Sequence, residues 1–382
     1  MFQTNRRNML ATTGAAITAA TLGHQRQIFA AAQANVIETK VISHQANSYC
    51  GWPTIVRRKN GQLLVVYSGG RVAHVCPFGR VELICSRDDG DTWSWPRVLL
   101  DSGIDDRDAG ILETNQGTLL VTTFTSVDYS EKQWWPQPDQ KARYRKWQAA
   151  HNRLTEPERQ QSLGVWMTRS TDQGVTWSGR YDSLINSPHG PIQLSDGRQL
   201  YAGKDLWRNQ GRIGVCESTD DGQTWNWLAG IPTRDQDDQQ QYHELHAVET
   251  NSGTIVAQIR NHNKNHALES LQTESHDGGK TWSVPHSIGV FGYPSHLLKL
   301  TDGRLLMTYG HRRPPYGNQA RVSEDHGRTW SEPMIISGDA IGKDMGYPST
   351  VELAGNTLLS VWYEVMQGSP LAVLRQAKWK LS

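Results

Sequence analysis

Six times along the chain a short apolar run meets a tight polar turn and then a second apolar run. The pairs are Trp52–Tyr67 around Asn60-Gly61, Ala109–Phe124 around Gln116-Gly117 and Gly190–Ala202 around Asp196-Gly197. They recur as His246–Ile259 around Ser252-Gly253, Ser295–Tyr309 around Asp302-Gly303 and Ser349–Tyr363 around Gly355-Asn356. Alternating apolar residues on both sides of a Gly, Asn or Asp turn predict β-hairpins. Between them stands one intact word, Ser-x-Asp-x-Gly-x-Thr-Trp, at Ser86–Trp93, Ser170–Trp177, Ser218–Trp225, Ser275–Trp282 and Ser323–Trp330. Its Asp can accept hydrogen bonds from the backbone N–H groups that follow, as in an Asx-turn. Its Gly supplies a left-handed turn residue, and its Trp re-enters a strand as a large buried anchor.

Six hairpins, five of them followed by a second hairpin built on this word, make six four-stranded units. The sixth unit ends in Leu371–Leu381 without the word, and Val36–Ser43 is placed to close a ring against it. The pattern predicts an all-β fold, a six-bladed β-propeller. Successive tryptophans of the word lie 84, 48, 57 and 48 residues apart, so the second unit carries about 30 extra residues. Residues 128–161 fill that gap, with Trp134, Trp135 and Trp147 among Lys, Arg and Gln, and Asp139–Leu154 reads as helical. Such an insertion is either a lid at the mouth of the ring or a helical decoration on the side of a blade.

Composition changes this picture mainly at the N-terminus. The 382 residues suit one repeat fold, and 35 glycines with 15 tryptophans suit many turns with aromatic anchors. Asn5-Arg6-Arg7-Asn8-Met9-Leu10 resembles a twin-arginine export signal, followed by an alanine-rich stretch Met9–Leu22 and the triplet Ala32-Gln33-Ala34. Residues 1–34 are therefore expected to be an export signal outside the fold, with the mature protein periplasmic or extracellular. The apolar stretch is too short for a membrane span. Formal charge is +1, and losing Arg6, Arg7 and Arg26 leaves −2, with no basic footprint for nucleic acid. Cys50, Cys76, Cys85 and Cys216 have no metal-ligand spacing. Free buried thiols are expected, with Cys50–Cys76 as a pair that export would permit to oxidise. No metal, no cofactor and a monomeric state are expected.

The eight-residue word resembles the Asp-box of the sialidase superfamily, whose boxes are structural and lie away from the catalytic face. The resemblance implies a propeller of the sialidase type with one central funnel. Tyr242-His243-Glu244-Leu245-His246-Ala247-Val248-Glu249 followed by Gln258-Ile259-Arg260 is similar to the family's Glu before a middle-blade inner strand and Arg after the partner strand. Gly346-Tyr347-Pro348-Ser349-Thr350 with Trp362-Tyr363-Glu364 is similar to the segment that opens and closes the last blade hairpin, Pro348 being extra. The resemblance implies Tyr347 as nucleophile, Glu244 as the base that activates it and Arg260 as part of a carboxylate clamp. Two family elements depart: Gly51-Trp52-Pro53 stands where Arg-Ile-Pro is usual, and the first-blade loop Ser68–Arg80 has no acid/base Asp. The third clamp arginine is one of Arg312, Arg313 and Arg321.

Residues at the ends of the inner strands form an unusual set whatever the family. They are Arg71 and His74; Arg107 and Asp108; His189 and Lys204; His243, Glu244, Arg260 and His262; His296, His311, Arg312 and Arg313; and Asp344, Tyr347 and Glu364. Cations dominate, which favours an anionic ligand, and guanidinium forks suit carboxylates. His74 stands where an acid/base is useful, since imidazole titrates near neutrality. The candidate catalytic residues are Tyr347, Glu244 and His74. The candidate substrate contacts are Arg260, Arg71, Arg107, Asp108, His189, Lys204, His296, His311 and Arg312.

The expected function is that of an exported exo-glycosidase acting on a terminal acidic sugar, sialic acid or a uronic acid. An alternative is a uronate-directed lyase or rhamnose–glucuronate-cleaving enzyme, because the loop Arg71–Gly79 and Asp105-Asp106-Arg107-Asp108 are similar to such propeller relatives. There a Tyr or His would remove the proton beside the carboxylate while an Arg neutralises the enolate-like intermediate. A non-catalytic glycan-binding propeller is the third reading. If the insertion is a lid, its tryptophans would be sugar platforms.

Overall fold

The computed structural model describes residues 32–382 except 46, 208–210 and 267; the expected export signal lies outside them up to residue 31. Six four-stranded antiparallel sheets follow one another along the chain. Their innermost strands are Tyr49–Arg57, Asp105–Glu113, Ile192–Gln193, Tyr242–Glu249, Ser295–Lys299 and Met345–Glu352 for blades one to six. Each of the six hairpin turns has a glycine with positive φ, at Gly61, Gly117, Gly197, Gly253, Gly303 and Gly355. The fold is the all-β, six-bladed propeller that the repeats predict.

Closure is made by the strand Ala34–Val41, which pairs antiparallel with Val373–Leu381 from Ala34 opposite Leu381 to Val41 opposite Arg375. The backbone of Gln33 also exchanges two hydrogen bonds with Ser382, both 3.1 Å. Pairing thus begins within the expected cleavage triplet, because the last strand is long enough to reach it.

Among the described residues an apolar wedge fills each of the six junctions between blades, and a seventh cluster lies under the insertion. The wedge between blades six and one joins Trp52, Val65 and Tyr67 to Tyr347, Val361 and Leu374. Leu64, Val66, Ile111 and Val121 fill the next. Between blades two and three the backbones themselves meet: a Cβ on Gly110 would lie 2.3 Å from the nitrogen of Gly190. Only glycine permits that approach.

Each Asp-box closes as its letters require. In the first, Ser86 Oγ donates to Asp88 Oδ1 (2.7 Å), Gly90 N to Ser86 Oγ (2.9 Å), Thr92 N to Asp88 Oδ1 (2.9 Å) and Thr92 Oγ1 to Asp88 Oδ2 (2.5 Å). The same bonds recur around Asp172, Asp220, Asp277 and Asp325. Hydrogen bonds from Thr92 and Ser86 hold the Asp88 carboxyl down at about 2. Gly90 sits at φ 84°, and the residue before it, Asp89, is also left-handed at 52°. The box tryptophan then bridges two blades: Trp93 Nε1 donates to Gln376 Oε1 (2.8 Å), and Gln376 Nε2 returns a bond to Gly90 O (2.9 Å). Trp330 and Gly327 make the same pair of bonds with Gln272 (3.0 and 2.8 Å).

The insertion folds as the helices α1, Lys141–His151, and α2, Glu156–Ser162. The first matches the helical reading. The second begins at a capping box of Thr155 and Glu158 with Pro157 in its first turn, a helix-start signal present in the sequence itself. Trp147 is fully buried and packs with Val75, Cys76, Ile104 and Tyr129. All four cysteines are free thiols.

Gln376→Leu should lower stability by about 1–3 kcal/mol, because the buried Trp93 N–H and Gly90 carbonyl both lose their partner. Thermal unfolding of the purified variant measures this; an unchanged melting temperature would show that the glutamine does not couple the box to its neighbouring blade.

Candidate active site

The inner strands of blades one, two, four and six are irregular at the same place. Register shifts fall between Gly51 and Thr54, Arg107 and Gly110, Tyr242 and Leu245, and Gly346 and Ser349. Within three of these bulges Trp52, Asp108 and Tyr347 have φ of 52°, 49° and 53°. A bulge re-aims a side chain that regular pleating would direct elsewhere. Together with Glu244 these residues line a cavity of about 260 Å³ at the N-terminal ends of the inner strands. His74, Arg107, Lys204, His243, Arg260 and Arg312 complete its polar wall.

Three groups are tightly joined. Tyr347 Oη donates to Glu244 Oε1 at 2.6 Å. Arg260 Nη1 reaches both carboxylate oxygens at 2.8 Å and the phenol oxygen at 3.0 Å. Burial opposes the Glu244 charge, but Arg260 outweighs it and the carboxyl is held down at about 2. Burial and the Glu244 charge push the Tyr347 phenol well above its ordinary value. The resting state is therefore carboxylate plus neutral phenol, with a short hydrogen bond between them.

Asp108 is the opposite case. It is buried, and its Oδ1 has no hydrogen-bond partner among the described residues. Burial pushes its carboxyl up to about 7 despite the neighbouring Arg107, and the Glu244 charge acts in the same direction as burial. One cavity thus holds two carboxyl groups driven in opposite directions, the pattern that separates an acid from a base.

A third unit crosses the junction of the first and last blades. His74 Nδ1 lies 2.9 Å from Asp344 Oδ1, which also accepts from Tyr49 Oη (2.8 Å) and Tyr363 Oη (3.2 Å). Burial lowers the His74 pKa against the pull of Asp344. A neutral ring donating through Nδ1 leaves Nε2 as an acceptor. Arg312 brings the cavity's free donors: its Nε and Nη2 are buried and unpartnered among the described residues, and its guanidinium lies 5.4 Å from the Tyr347 ring centre. Arg313 packs on Phe291 and Arg321 bonds Tyr309 and Ser331, so of the three alternatives Arg312 is the one in the cavity.

Tyr347, Glu244, His74, Arg260, Arg107, Asp108, Lys204 and Arg312 are thus brought together. Four other candidates are placed elsewhere. Arg71 is fully buried, bound to Asp105 at 2.7 Å and to the His74 carbonyl at 2.9 Å, so it holds the loop rather than a ligand. His189 and His296 lie with His246 in a separate cavity of about 530 Å³ at the opposite ends of the inner strands. His311 is outside both, with Nδ1 3.2 Å from the Pro315 carbonyl. Trp52, Tyr363, Phe124 and Asn186 line the site without having been singled out as ligand contacts. Trp52 had a signal, a bulky residue between Gly51, where the family's arginine is missing, and Pro53; Asn186 had none. Among the described residues no cluster of His, Cys, Asp and Glu is arranged to hold a metal ion, and no helix is long and apolar enough to cross a membrane.

The fold and this site define a propeller of the sialidase superfamily. The chain belongs to the BNR repeat-like domain family, whose model matches residues 111–359. It is 24% identical over 272 residues to a sialidase from Clostridium perfringens, covering 67% of this chain and 55% of the relative, so it spans about half that protein's length. A protein of unknown function from Dyadobacter fermentans superposes with a TM-score of 0.74 at 22% identity, covering 93% of this chain and 100% of the other. The NanB sialidase of Streptococcus pneumoniae gives 0.62 at 16% (91% and 70% covered). The intramolecular trans-sialidase of Ruminococcus gnavus gives 0.61 at 14% (91% and 97%).

Asp108 generates a pH prediction. Its folded pKa lies above the unfolded carboxyl value of about 4, so the stability tied to its proton is present below pH ~4 and lost as pH rises to about 7. The melting temperature of Asp108→Asn relative to wild type should therefore climb between pH 4 and 7 and level off above. A difference that stays flat across that range would show that Asp108 ionises normally.

Proposed function

We propose that this protein is a glycoside hydrolase that removes a terminal acidic sugar from a glycan. The observation that carries the reading is the Tyr347–Glu244–Arg260 cluster, in which a neutral phenol is hydrogen-bonded to an ionised carboxylate inside a cation-lined cavity. A cavity of about 260 Å³ suits one sugar ring rather than a larger ligand, since sites for drug-sized molecules run ~300–1,000 Å³. That size favours exo action.

In this reading the sugar's carboxylate meets the free donors of Arg312, with Arg107 nearby. Tyr347 Oη attacks the anomeric carbon while its proton passes to Glu244, and the bond to the leaving oxygen breaks. Asp108, rather than His74, supplies the proton to that oxygen, because it is the group held protonated near neutrality. Water then cleaves the glycosyl–tyrosine bond with Asp108 as base, and Glu244 returns its proton to the phenol. A tyrosine nucleophile is a known exception to the two-carboxylate scheme, and a phenol does not repel an anionic substrate. The twin-arginine-like N-terminus supports an exported enzyme.

The His74–Asp344 pair supports a second reading. An imidazole with Nδ1 on a carboxylate and Nε2 free is arranged as a base, and beside Arg107 it could abstract the proton next to a uronate carboxylate. Elimination leaves an unsaturated uronate that absorbs in the near ultraviolet, whereas hydrolysis does not.

The full chain should release free sugar from sialosides or glucuronate-capped glycans without that absorbance. Tyr347→Phe should reduce kcat by at least about a thousandfold while leaving the melting temperature within a few degrees. Growing absorbance would favour the lyase. Near-wild-type turnover by Tyr347→Phe would remove the phenol from the mechanism, and binding without turnover of any glycan would favour a receptor.

A further inference from the structure

The insertion is seated against the loop that carries His74. From one side, the buried Trp147 of α1 packs with Val75 and Cys76, the two residues after His74. From another, the Trp134 ring lies nearly parallel to the His74 imidazole, 14° apart with centres 6.0 Å distant. Trp134 is held in place through its neighbour: Trp135 meets Tyr144, Trp147 and His151 edge-on, at 6.1, 6.1 and 5.7 Å. The insertion is also tied to the cavity wall at its start, where Asp128 lies 3.7 Å from Arg107.

Despite these neighbours, Trp134 is 40% exposed. A fixed indole with one face on a cavity-lining imidazole and open surface beside it is a ready platform for the apolar face of a sugar ring. The insertion also carries its own groove of about 480 Å³, lined by Lys132, Trp135, Gln137 and Tyr144 among others. The catalytic cavity has room for one ring, so the remainder of a longer glycan must leave it along some path. Trp134, stacked on His74 in the cavity wall, is the aromatic surface that the insertion offers to such a path.

We propose that residues 128–138 form the subsite for the leaving portion of the glycan, with Trp134 as its stacking platform, so that the enzyme selects oligosaccharide or polysaccharide substrates over simple glycosides. This rests on the hydrolase reading above and deepens it. Trp134 is a specificity residue here, not a catalytic one: it adds binding to the sugars beyond the cleaved bond and leaves the reacting atoms untouched.

Two full-length variants test it, Trp134→Ala and, as a control, Trp95→Ala, which removes an indole 72% exposed elsewhere. For Trp134→Ala, KM should rise about tenfold on an oligosaccharide capped by the acidic sugar, with kcat little changed. The aryl glycoside of the same sugar should show no change, Trp134→Tyr should restore most of the loss, and Trp95→Ala should behave as wild type. Equal KM for wild type and Trp134→Ala on the oligosaccharide, or equal losses on both substrates, would overturn the subsite. Calorimetric binding of the same oligosaccharide to Tyr347→Phe, with and without Trp134→Ala, separates the two ideas. Binding to Tyr347→Phe that depends on Trp134, together with a wild-type protein that turns over none of these glycans, would keep the platform and discard the hydrolase. Binding that ignores Trp134 would discard the platform.

Discussion

The site depends on a backbone constraint: inner strands that break their pleat at one level of the propeller. A regular strand sends successive side chains to opposite sheet faces, which in a propeller are the wedges between blades. To put Trp52, Asp108 and Tyr347 into the cavity the chain must leave that alternation, and all three do so with positive φ. Such conformations cost of order 1–3 kcal/mol each for residues other than glycine. Trp52 and Tyr347 also precede prolines, which restrict their backbones further. The surrounding wedges sustain the distortion: Trp52 and Tyr347 are both buried members of the core between the last and first blades. The same packing that closes the ring therefore fixes the direction of the Tyr347 phenol.

Given that framework, the electrostatics follow from spacing. Arg260 shares Glu244 so closely that the carboxylate is the stable form, while Asp108, a short way around the ring, has burial without an adequate partner. Arg312 keeps donors that no group among the described residues satisfies. The cavity is thus saturated with counter-charge at one point and short of it at another, an arrangement that favours an anionic ligand at the second.

Much of the fold was legible because its determinants are local. Each Asp-box is complete within eight residues, and each hairpin turn announces itself by a glycine, so blades could be counted by letters alone. The site was legible only in part because its partnerships are distant: Tyr347 with Glu244 spans 103 residues, and His74 with Asp344 spans 270. The first pair was visible through family resemblance, the second not at all. Arg71 shows why strand-end position misleads. It stands beside the cavity residues in sequence, yet Asp105 on the next blade draws its guanidinium inward, and no spacing rule foretells that pairing. His189 and His296 have the chemistry of cavity residues, but they lie on the far side of the bulge level, at the other mouth of the ring.

The junction where the first and last strands pair has a consequence for the order of events during synthesis. Trp52 and His74 emerge from the ribosome early, whereas Asp344, Tyr347 and Tyr363 emerge some 300 residues later. A chain that stops before the sixth blade lacks one wall of the cavity, and Tyr347 is among the last parts made. The cavity is therefore completed in one step, when the last blade joins the first, and a nascent propeller with five finished blades has no closed site.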